Sequence, residues 1–319
     1  MRRLLIGLTA LAVLAPLTAC GSSDSPGGRR DDGTVAITVG VIPIVDVAPL
    51  YLGEKQGFYR DRGIDLTLRT AQGGAAIVPG VISGQFQFGF SNVTSLMIAR
   101  SHKVPVRAVA NGGASTGEDG ADVGGITVGK DSAVKTAKDL AGRKVAVNTL
   151  KNIGDTSVRQ SVRKAGGDPD RVTFVELAFD QMAAALDSGQ VDAAWAVEPA
   201  LSTIKGRGGR VIASNFVDVA PDLTVALYFT SVPYERSNPE LVENFRAATK
   251  ESLAYATAHP DEVREILTTY TRIPEATRRA MTLPHWPQEP NRASIEVLAA
   301  LGTEDGLFTS APDLDELLP

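Results

Sequence analysis

The sequence is poor in the residues that most often carry covalent and metal chemistry. Its 319 residues include one cysteine, two tryptophans and three histidines. Because the one cysteine is Cys20, the rest of the chain can form no internal disulfide, no cysteine-based metal site and no thiol nucleophile. His102, His259 and His285 fall at predicted helix ends or in proline-rich turns, away from the predicted site. The chain is therefore predicted not to be an enzyme, and neither a cofactor nor a metal is expected.

Positive charge and long apolar runs are also lacking. The formal net charge is -5, and it becomes -7 if residues 1–19, which contain Arg2 and Arg3, are removed. A mildly acidic chain without a basic face gives no reason to expect nucleic-acid binding. After the amino-terminal segment, no stretch of about 18 residues is apolar enough to cross a bilayer, so we predict no membrane-spanning helix.

The amino terminus has the pattern of an export signal. Two arginines precede an apolar run over residues 4–15, which is too short to span about 30 Å of hydrocarbon. The run leads to LTAC, ending at Cys20, which resembles the lipobox of bacterial lipoproteins, in which the cysteine is lipidated and becomes the first mature residue. We predict a signal peptide over 1–19, lipidation of Cys20 and a flexible tether over 20–33. The alternative is an ordinary signal peptide followed by an unmodified cysteine.

Strands and helices alternate along most of the remaining chain. The first unit is a β-branched strand over residues 35–42 and a helix over 47–56, which Asp46 is placed to cap and Gly57 to end. Repeated units of this kind predict an α/β fold of two lobes, each with a mixed, mostly parallel sheet flanked by helices. The predicted boundaries are 34–114 plus 216–319 for the first lobe, which is discontinuous, and 115–215 for the second.

The turns that follow the predicted strands carry side chains that could replace the hydration of a small solute. In α/β sheets, ligands bind beyond the carboxyl ends of the strands, where such turns converge. The alternative for Asp46, Asp155 and Asp180 is helix capping, for Trp195 a place in the core, and for Glu198 a solvated loop charge. The candidate ligand-binding residues are Pro43, Ile44, Asp46, Ser91, Asn92, Asn111, Asn148, Thr149, Asp155, Thr156, Asp180, Trp195 and Glu198.

Three stretches carry a resemblance to a known family. They read GVIPIVDVAPLYLGEKQGFYRDRGIDL (40–66), GQFQFGFSNVTSLMIAR (84–100) and FDQMAAALDSGQVDAAWAVEPAL (179–201). In this order, and with the lipobox, they are similar to the solute-binding proteins of ABC importers, in the nitrate, sulfonate and taurine group that also includes binders of thiamine pyrimidine precursors. The resemblance implies a type II periplasmic-binding-protein fold, with the ligand in a cleft between the lobes and hinge closure on binding.

The resemblance also implies where the protein acts and with what. We expect an exported monomer, lipid-anchored to the extracytoplasmic face of the cell membrane. Its partners would be a small-molecule solute and the transmembrane subunits of an ABC permease, with no nucleic acid.

The charges around the predicted cleft bear on the ligand. Asp46, Asp180 and Glu198 are acidic, and Lys151 is the one base near the predicted walls. Carboxylates in a desolvated cleft repel an anion and suit a ligand that donates hydrogen bonds. We therefore predict against nitrate. The favoured solutes are an N-heterocycle, such as a thiamine pyrimidine precursor, or a taurine-like or sulfonate-like molecule.

Two other functions stay open at the level of sequence. One is an enzyme on the same fold, like the pyrimidine-synthesising relatives of this group, which would need a catalytic histidine and a cysteine-rich motif. Two motif matches also fail, because residues 89–93 lack the last glycine of G-x-S-x-G and Asp131 stands where a phosphate loop over 124–131 needs Ser or Thr. The other is a lipoprotein that senses a ligand or serves as a scaffold, which would share these sequence features with a transport protein.

Overall fold

The structure is a computed structural model that describes Gly28, Arg30 and residues 32–318. The predicted signal peptide over 1–19, the predicted lipidation site Cys20 and most of the predicted tether over 20–33 lie outside the described residues. Within 32–318, no helix combines the length and the apolar character that crossing a bilayer requires.

Two separate five-stranded sheets organise the described chain. The strands are β1 (Val35–Val41), β2 (Ile64–Thr70), β3 (Phe88–Asn92), β4 (Val106–Ala114), β5 (Gly124–Val128), β6 (Lys144–Val147), β7 (Thr173–Glu176), β8 (Ala193–Val197), β9 (Arg210–Ala213) and β10 (Thr224–Ser231). The first sheet has the order β2-β1-β3-β10-β4, and the second has the order β7-β6-β8-β5-β9. We call the first sheet with the helices packed on it lobe 1, and the second sheet with its helices lobe 2.

In each sheet four strands run in one direction and one strand runs against them. In the first sheet β1 is parallel to β2 and β3, whereas β10 is antiparallel to β3 and β4. In the second sheet β6 is parallel to β7 and β8, whereas β5 is antiparallel to β8 and β9. The reversed strands, β5 and β10, are the first strands after the two crossings of the chain between the lobes. The prediction of two lobes with mixed, mostly parallel sheets is confirmed.

Helices cover the faces of both sheets, as the crossover connections of parallel strands require. Short 3-10 helices occupy Val45–Val47, Arg60–Arg62, Ala137–Leu140, Pro169–Arg171 and Leu267–Thr269. The α-helices are α1 (Ala48–Gln56), α2 (Gly74–Ile82), α3 (Val93–Ser101), α4 (Ile153–Lys164), α5 (Phe179–Asp187), α6 (Ala200–Gly206), α7 (Asn215–Val219), α8 (Val232–Ser237), α9 (Pro239–Ala258), α10 (Pro260–Ile266), α11 (Glu275–Ala280), α12 (Arg292–Glu304) and α13 (Leu314–Leu317).

The helix boundaries show which predicted caps form. Gly57 has a φ of +87° and ends α1, as predicted, because a glycine adopts the left-handed conformation without a Cβ clash. Asn92 caps α3 by accepting a hydrogen bond from the Ser95 amide at 2.9 Å. The predicted end of α1 at Gly57 is therefore confirmed, and the structure adds Asn92 as the cap of α3.

The capping roles considered for three aspartates are wrong. The chain enters α1 through the 3-10 turn Val45–Val47, so Val47 occupies the N-cap and the Asp46 side chain makes no cap bond. Ala178 is the N-cap of α5, which leaves Asp180 in its first turn. Asn152, and not Asp155, is the N-cap of α4.

The two crossings between the lobes are tied to each other. The Ser115 amide donates to the Leu223 carbonyl at 2.9 Å, and the Gly120 amide donates to Ser214 Oγ at 2.8 Å. Asp122 orders the first crossing, because its carboxylate accepts from the Ser115 hydroxyl at 2.7 Å and from the Val123 amide at 2.8 Å. These bonds tie the two crossings to each other and order the first of them.

Candidate ligand-binding site

A cavity of about 30 Å³ lies between the two lobes. Eleven of its fourteen lining residues are apolar or aromatic, and three, Asp46, Asn92 and Asn148, are polar. None of these lining residues, all within the described chain, is basic. Lobe 1 contributes Ile42, Ile44, Asp46, Phe90, Asn92, Val225 and Ala226, and lobe 2 with the adjoining crossing contributes Val123, Asn148, Ile153, Phe179, Trp195, Val197 and Phe216.

The topology explains why these residues meet. Asp46 follows β1, Asn92 ends β3, Asn148 follows β6 and Val197 ends β8. These four strands belong to the parallel part of each sheet, so their carboxyl ends lie on the same edge, where α/β sheets bind ligands. The two edges face each other across the cavity.

Asp46 is the one ionisable group among the described residues that line the cavity. Its side chain is buried, and Oδ2 has no hydrogen-bond partner among the described residues. Burial raises the pKa of Asp46 from 3.8 to about 7, with a further rise from the negative charge of Asp122 and a partial offset from its own backbone amide. A carboxyl group in this setting favours a neutral state or a cationic or hydrogen-bond-donating partner.

Trp195 forms the aromatic side of the cavity on lobe 2. Its ring centroid lies 5.5 Å from that of Phe179 and 5.9 Å from that of Phe216. Gly154 lies behind the indole, and a Cβ there would come within 2.6 Å of a ring carbon of Trp195, so a larger residue would push the ring. The indole nitrogen Nε1 is buried without an acceptor among the described residues. Trp195 therefore offers both an aromatic face and an unused N–H donor.

At the rim the two lobes come into contact. A Cβ at Gly73, just before α2 in lobe 1, would lie 3.0 Å from Thr149 Oγ1 and 3.2 Å from Asn148 Nδ2 in lobe 2. A side chain at position 73 would require these two lobe 2 side chains to shift by a few tenths of an ångström. Gly73 thus lets the start of α2 lie close to lobe 2 beside Asn148, which lines the cavity.

Five of the predicted ligand-binding residues line the cavity: Ile44, Asp46, Asn92, Asn148 and Trp195. Pro43 and Asp180 are exposed, and Thr149 lies at the rim described above. The structure therefore brings together only part of the predicted set.

The remaining predicted residues are engaged elsewhere. The Ser91 hydroxyl donates to the Asn92 carbonyl at 3.2 Å, and Asn111 Nδ2 donates to the Pro287 carbonyl at 2.8 Å. Asp155 accepts from the Lys151 amide at 3.0 Å, and burial raises its pKa to about 6. Thr156 is fully buried within α4.

Glu198 is buried between the lobes and does not line the cavity. Its carboxylate accepts from the Ser202 amide at 3.0 Å, from the Ser202 hydroxyl at 2.7 Å and from the Thr282 amide at 3.2 Å. Burial is the largest influence on this group and raises the pKa of Glu198, while these hydrogen bonds act in the opposite direction. The interpretation of Glu198 as a solvated loop charge is wrong, because the side chain is fully buried.

Apart from Ile44 and Trp195, the apolar lining residues were not predicted from the sequence. Phe90, Phe179, Phe216, Val123 and Ile153 have the spacing of ordinary core residues, and they pack against the cores of their lobes as well as facing the cavity. Of these five residues, only Phe179 could have been predicted from the sequence to lie at the site, because it is the first residue of the helix that follows β7.

Comparison with known proteins identifies the family. The family model described as NMT1/THI5 like matches residues 44–263, which is more than two thirds of the chain. The chain belongs to the NMT1/THI5-like family. This family assignment confirms the predicted resemblance, and the matched region contains twelve of the thirteen predicted ligand-binding residues, all but Pro43.

Relatives of this NMT1/THI5-like chain carry names of binding proteins. A putative binding protein of Brucella abortus (strain 2308) is 25% identical over 227 residues, which are 70% of this chain and 68% of the relative. A putative aliphatic sulfonates-binding protein of Bacillus subtilis (strain 168) is 23% identical over 267 residues, 81% of this chain and 76% of the relative. None of these names describes an enzyme.

A solved structure supports the fold independently of sequence. The alkanesulfonate-binding protein SsuA from Xanthomonas axonopodis pv. citri, bound to MOPS, has a TM-score of 0.74 at 18% identity. The match covers 89% of this chain and 98% of that chain. The predicted periplasmic-binding-protein fold is therefore confirmed over nearly the whole described chain.

Proposed function

We propose that this protein is an extracytoplasmic solute-binding protein that delivers a small molecule to an ABC permease and performs no chemistry itself. Its family, the names of its relatives and its two-lobed fold with a cavity at the facing strand ends support this role. The described residues contain no group of three His, Cys, Asp or Glu side chains placed to hold a metal ion. The described residues that line the cavity include no pair of a nucleophile and a base, and their geometry suits binding.

The proposed ligand is a small aromatic molecule that donates hydrogen bonds, such as an aminopyrimidine. The observation that carries this choice is that Asp46 Oδ2 has no hydrogen-bond partner among the described residues, in a cavity whose described lining includes Phe90, Phe179, Trp195 and Phe216 but no basic residue. A ring would stack on these aromatic side chains, and its exocyclic or ring N–H would pair with Asp46. A sulfonate would instead bring a second negative charge beside Asp46 without a cation to offset it.

Ligand entry requires motion of the lobes. Sites for small molecules usually enclose about 300–1,000 Å³, whereas this cavity measures about 30 Å³. A molecule with an aromatic ring can enter only when the lobes separate. We propose that the lobes separate about the paired crossings, with residues 34–114 and the chain after α7 as one body and residues 115–219 as the other. This places the second boundary after α7 and not at the predicted 215/216, because Asn215 Nδ2 donates to Ser157 Oγ of α4 at 2.7 Å and Ser161 Oγ donates to the Asp218 carboxylate at 2.7 Å.

A thermal-shift screen tests the proposed function and ligand class together. A ligand that binds only the folded state stabilises it by RT ln(1 + [L]/Kd), which is about 4 kcal/mol at a thousandfold excess over Kd. We expect a clear rise in the melting temperature with aminopyrimidines, little with the same rings lacking the amino group, and none with nitrate or alkanesulfonates. Stabilisation by sulfonates alone would overturn the ligand class while supporting solute binding, and no stabilisation by any tested solute would count against both.

The membrane anchor is a separate proposal, which rests on the sequence around Cys20. Replacing Cys20 with serine removes the thiol that lipidation requires, so we expect the exported protein to move from the membrane fraction to the soluble fraction. Fractionation of cells followed by immunodetection measures this change, and a Ser22→Ala variant serves as the control. Continued membrane attachment of the Cys20→Ser protein would contradict the lipoprotein assignment.

A further inference from the structure

A segment outside the region matched by the family model contacts both lobes beside the cavity. Residues 281–287, which we call the strap, form the first part of the connection between α11 and α12, and they lie beyond residue 263, where the family match ends. Met281 and Trp286 of the strap are almost fully buried. An irregular segment buried in this way needs partners for its backbone, and these partners show what the strap joins.

The strap is anchored on lobe 1 along its length. The Arg264 guanidinium donates to the Met281 carbonyl at 3.3 Å, and Asn111 Nδ2 donates to the Pro287 carbonyl at 2.8 Å. Between these points, His285 and Ala114 exchange two backbone hydrogen bonds, at 2.8 and 3.1 Å. Four hydrogen bonds to β4 and α10 therefore fix the strap to lobe 1.

From this position the strap contacts the cavity wall and the opposite lobe. Trp286 Nε1 donates to the Asp46 carbonyl at 3.1 Å, which holds the turn that presents the Asp46 carboxylate. The Thr282 amide donates to the Glu198 carboxylate of lobe 2 at 3.2 Å. Glu198 is also bonded to lobe 1 through its main chain, because its carbonyl accepts from the Val45 amide at 3.4 Å.

These contacts close a ring around one end of the cavity. The path runs from Thr282 to Glu198, from Glu198 to Val45, along the chain to Asp46, and from Asp46 to Trp286 in the same strap. Asp46 lines the cavity itself, Val45 lies between the lining residues Ile44 and Asp46, and Glu198 directly follows the lining residue Val197. Further contacts between the lobes lie outside the ring and involve α4. Asn152 Nδ2 donates to Ser95 Oγ at 2.9 Å, and Arg163 forms an ion pair with Glu304 at 3.2 Å.

We propose that this ring couples the closed arrangement of the lobes to the position of Asp46, with Glu198 and Trp286 as its positioning residues. Loss of one bond in the ring weakens the others, because every bond requires the strap, the Val45–Val47 turn and the carboxyl end of β8 to keep the same relative positions. The ring's role in ligand capture rests on the solute-binding function proposed above, whereas its role in joining the lobes does not.

Hydrogen exchange in the ligand-free mature protein tests the coupling directly. Glu198→Ala removes the carboxylate but keeps the main-chain carbonyl that binds the Val45 amide. Trp286→Phe removes the indole donor but leaves the Thr282 amide and its acceptor in place. We expect exchange at the untouched bond, Val45 in the first variant and Thr282 in the second, to accelerate at least tenfold, a change of about 1.4 kcal/mol.

The control is Ser202→Ala, which removes a bond to the same Glu198 carboxylate but inside lobe 2. It should leave exchange at Val45 and Thr282 unchanged. Two results would overturn the proposal: changes confined to the amides that contact the deleted atoms, or a uniform acceleration along the whole chain. Because no ligand enters the measurement, its failure is distinct from a failure of the ligand screen.

Discussion

Replacing Asp46 with asparagine should make the protein more stable than the wild type at pH 8 but not at pH 4. Asparagine has the shape of the neutral acid, so it removes the charge without changing the packing. The pKa of Asp46 rises from 3.8 to about 7 on folding, mainly because the carboxyl group is buried. Asp46 therefore contributes stability that is fully present below pH 3.8 and is lost as the pH rises through about 7.

The expected size follows from the shift in pKa. A shift of about three units corresponds to about 4 kcal/mol between the two ends of this pH range. The difference in unfolding free energy between Asp46→Asn and the wild type should therefore grow by up to this amount from pH 4 to pH 8. Denaturant unfolding at each pH measures it. Asp180→Asn, an exposed aspartate in the first turn of another helix, should differ from the wild type by less than about 0.5 kcal/mol throughout.

The same substitution should weaken ligand binding. A hydrogen bond to a charged group contributes about 1.5–3 kcal/mol, so loss of the Asp46 charge should raise the Kd of a donor-bearing ligand about 10- to 150-fold. Isothermal titration at pH 8 with the best aminopyrimidine from the screen measures the change. A protein that gains stability and keeps its full affinity would show that Asp46 is a buried charge without a role in recognition. A parallel loss of stability and affinity would contradict the assigned pKa.

The polar half of the site could be predicted because strand ends are marked in the sequence. Asp46, Asn92 and Asn148 each follow a short β-branched or apolar run, and the topology of parallel strands places such ends together. The sequence did not show which of these polar side chains also form hydrogen bonds with the backbone of their own helix or turn. Asn92 caps α3 and lines the cavity, whereas Asp155 binds the Lys151 amide and does not line it.

Most of the apolar lining and the strap could not be predicted, for two different reasons. Phe90 and Phe216 contact the cavity and the core at once, and hydrophobic spacing does not distinguish these two surroundings. The strap lies in a proline-rich stretch without periodicity, and its contact between Trp286 and Asp46 joins residues 240 positions apart. Such a pairing follows from how the carboxyl-terminal helices pack on lobe 1, which no local pattern encodes.

Trp195→Ala should lower both the unfolding free energy and the ligand affinity. The sequence offered two interpretations of Trp195, a core residue or a ligand contact, and the structure is compatible with both for the same side chain. Trp195 is 3% exposed, yet it lines the cavity. Truncation of a buried aromatic side chain to alanine usually lowers the unfolding free energy by about 3–5 kcal/mol. It would also remove the aromatic face on which we expect the ligand to stack and the Nε1–H that has no partner among the described residues.

Two further variants separate these effects. Phe245→Ala truncates an aromatic side chain that is fully buried in lobe 1 and stacks on Phe88 away from the cavity, so it should destabilise the protein to a similar extent and leave Kd unchanged. Trp195→Phe keeps an aromatic ring but no N–H donor, so it should cost less stability than Trp195→Ala and still weaken a ligand that accepts a hydrogen bond from the indole. If Trp195→Ala and Phe245→Ala lower stability equally and neither changes the affinity, Trp195 is a core residue only. If Trp195→Phe binds as well as the wild type while Trp195→Ala does not, the ligand recognises the ring and not its N–H. In that case Asp46 would be the group that decides which heterocycle this cavity accepts.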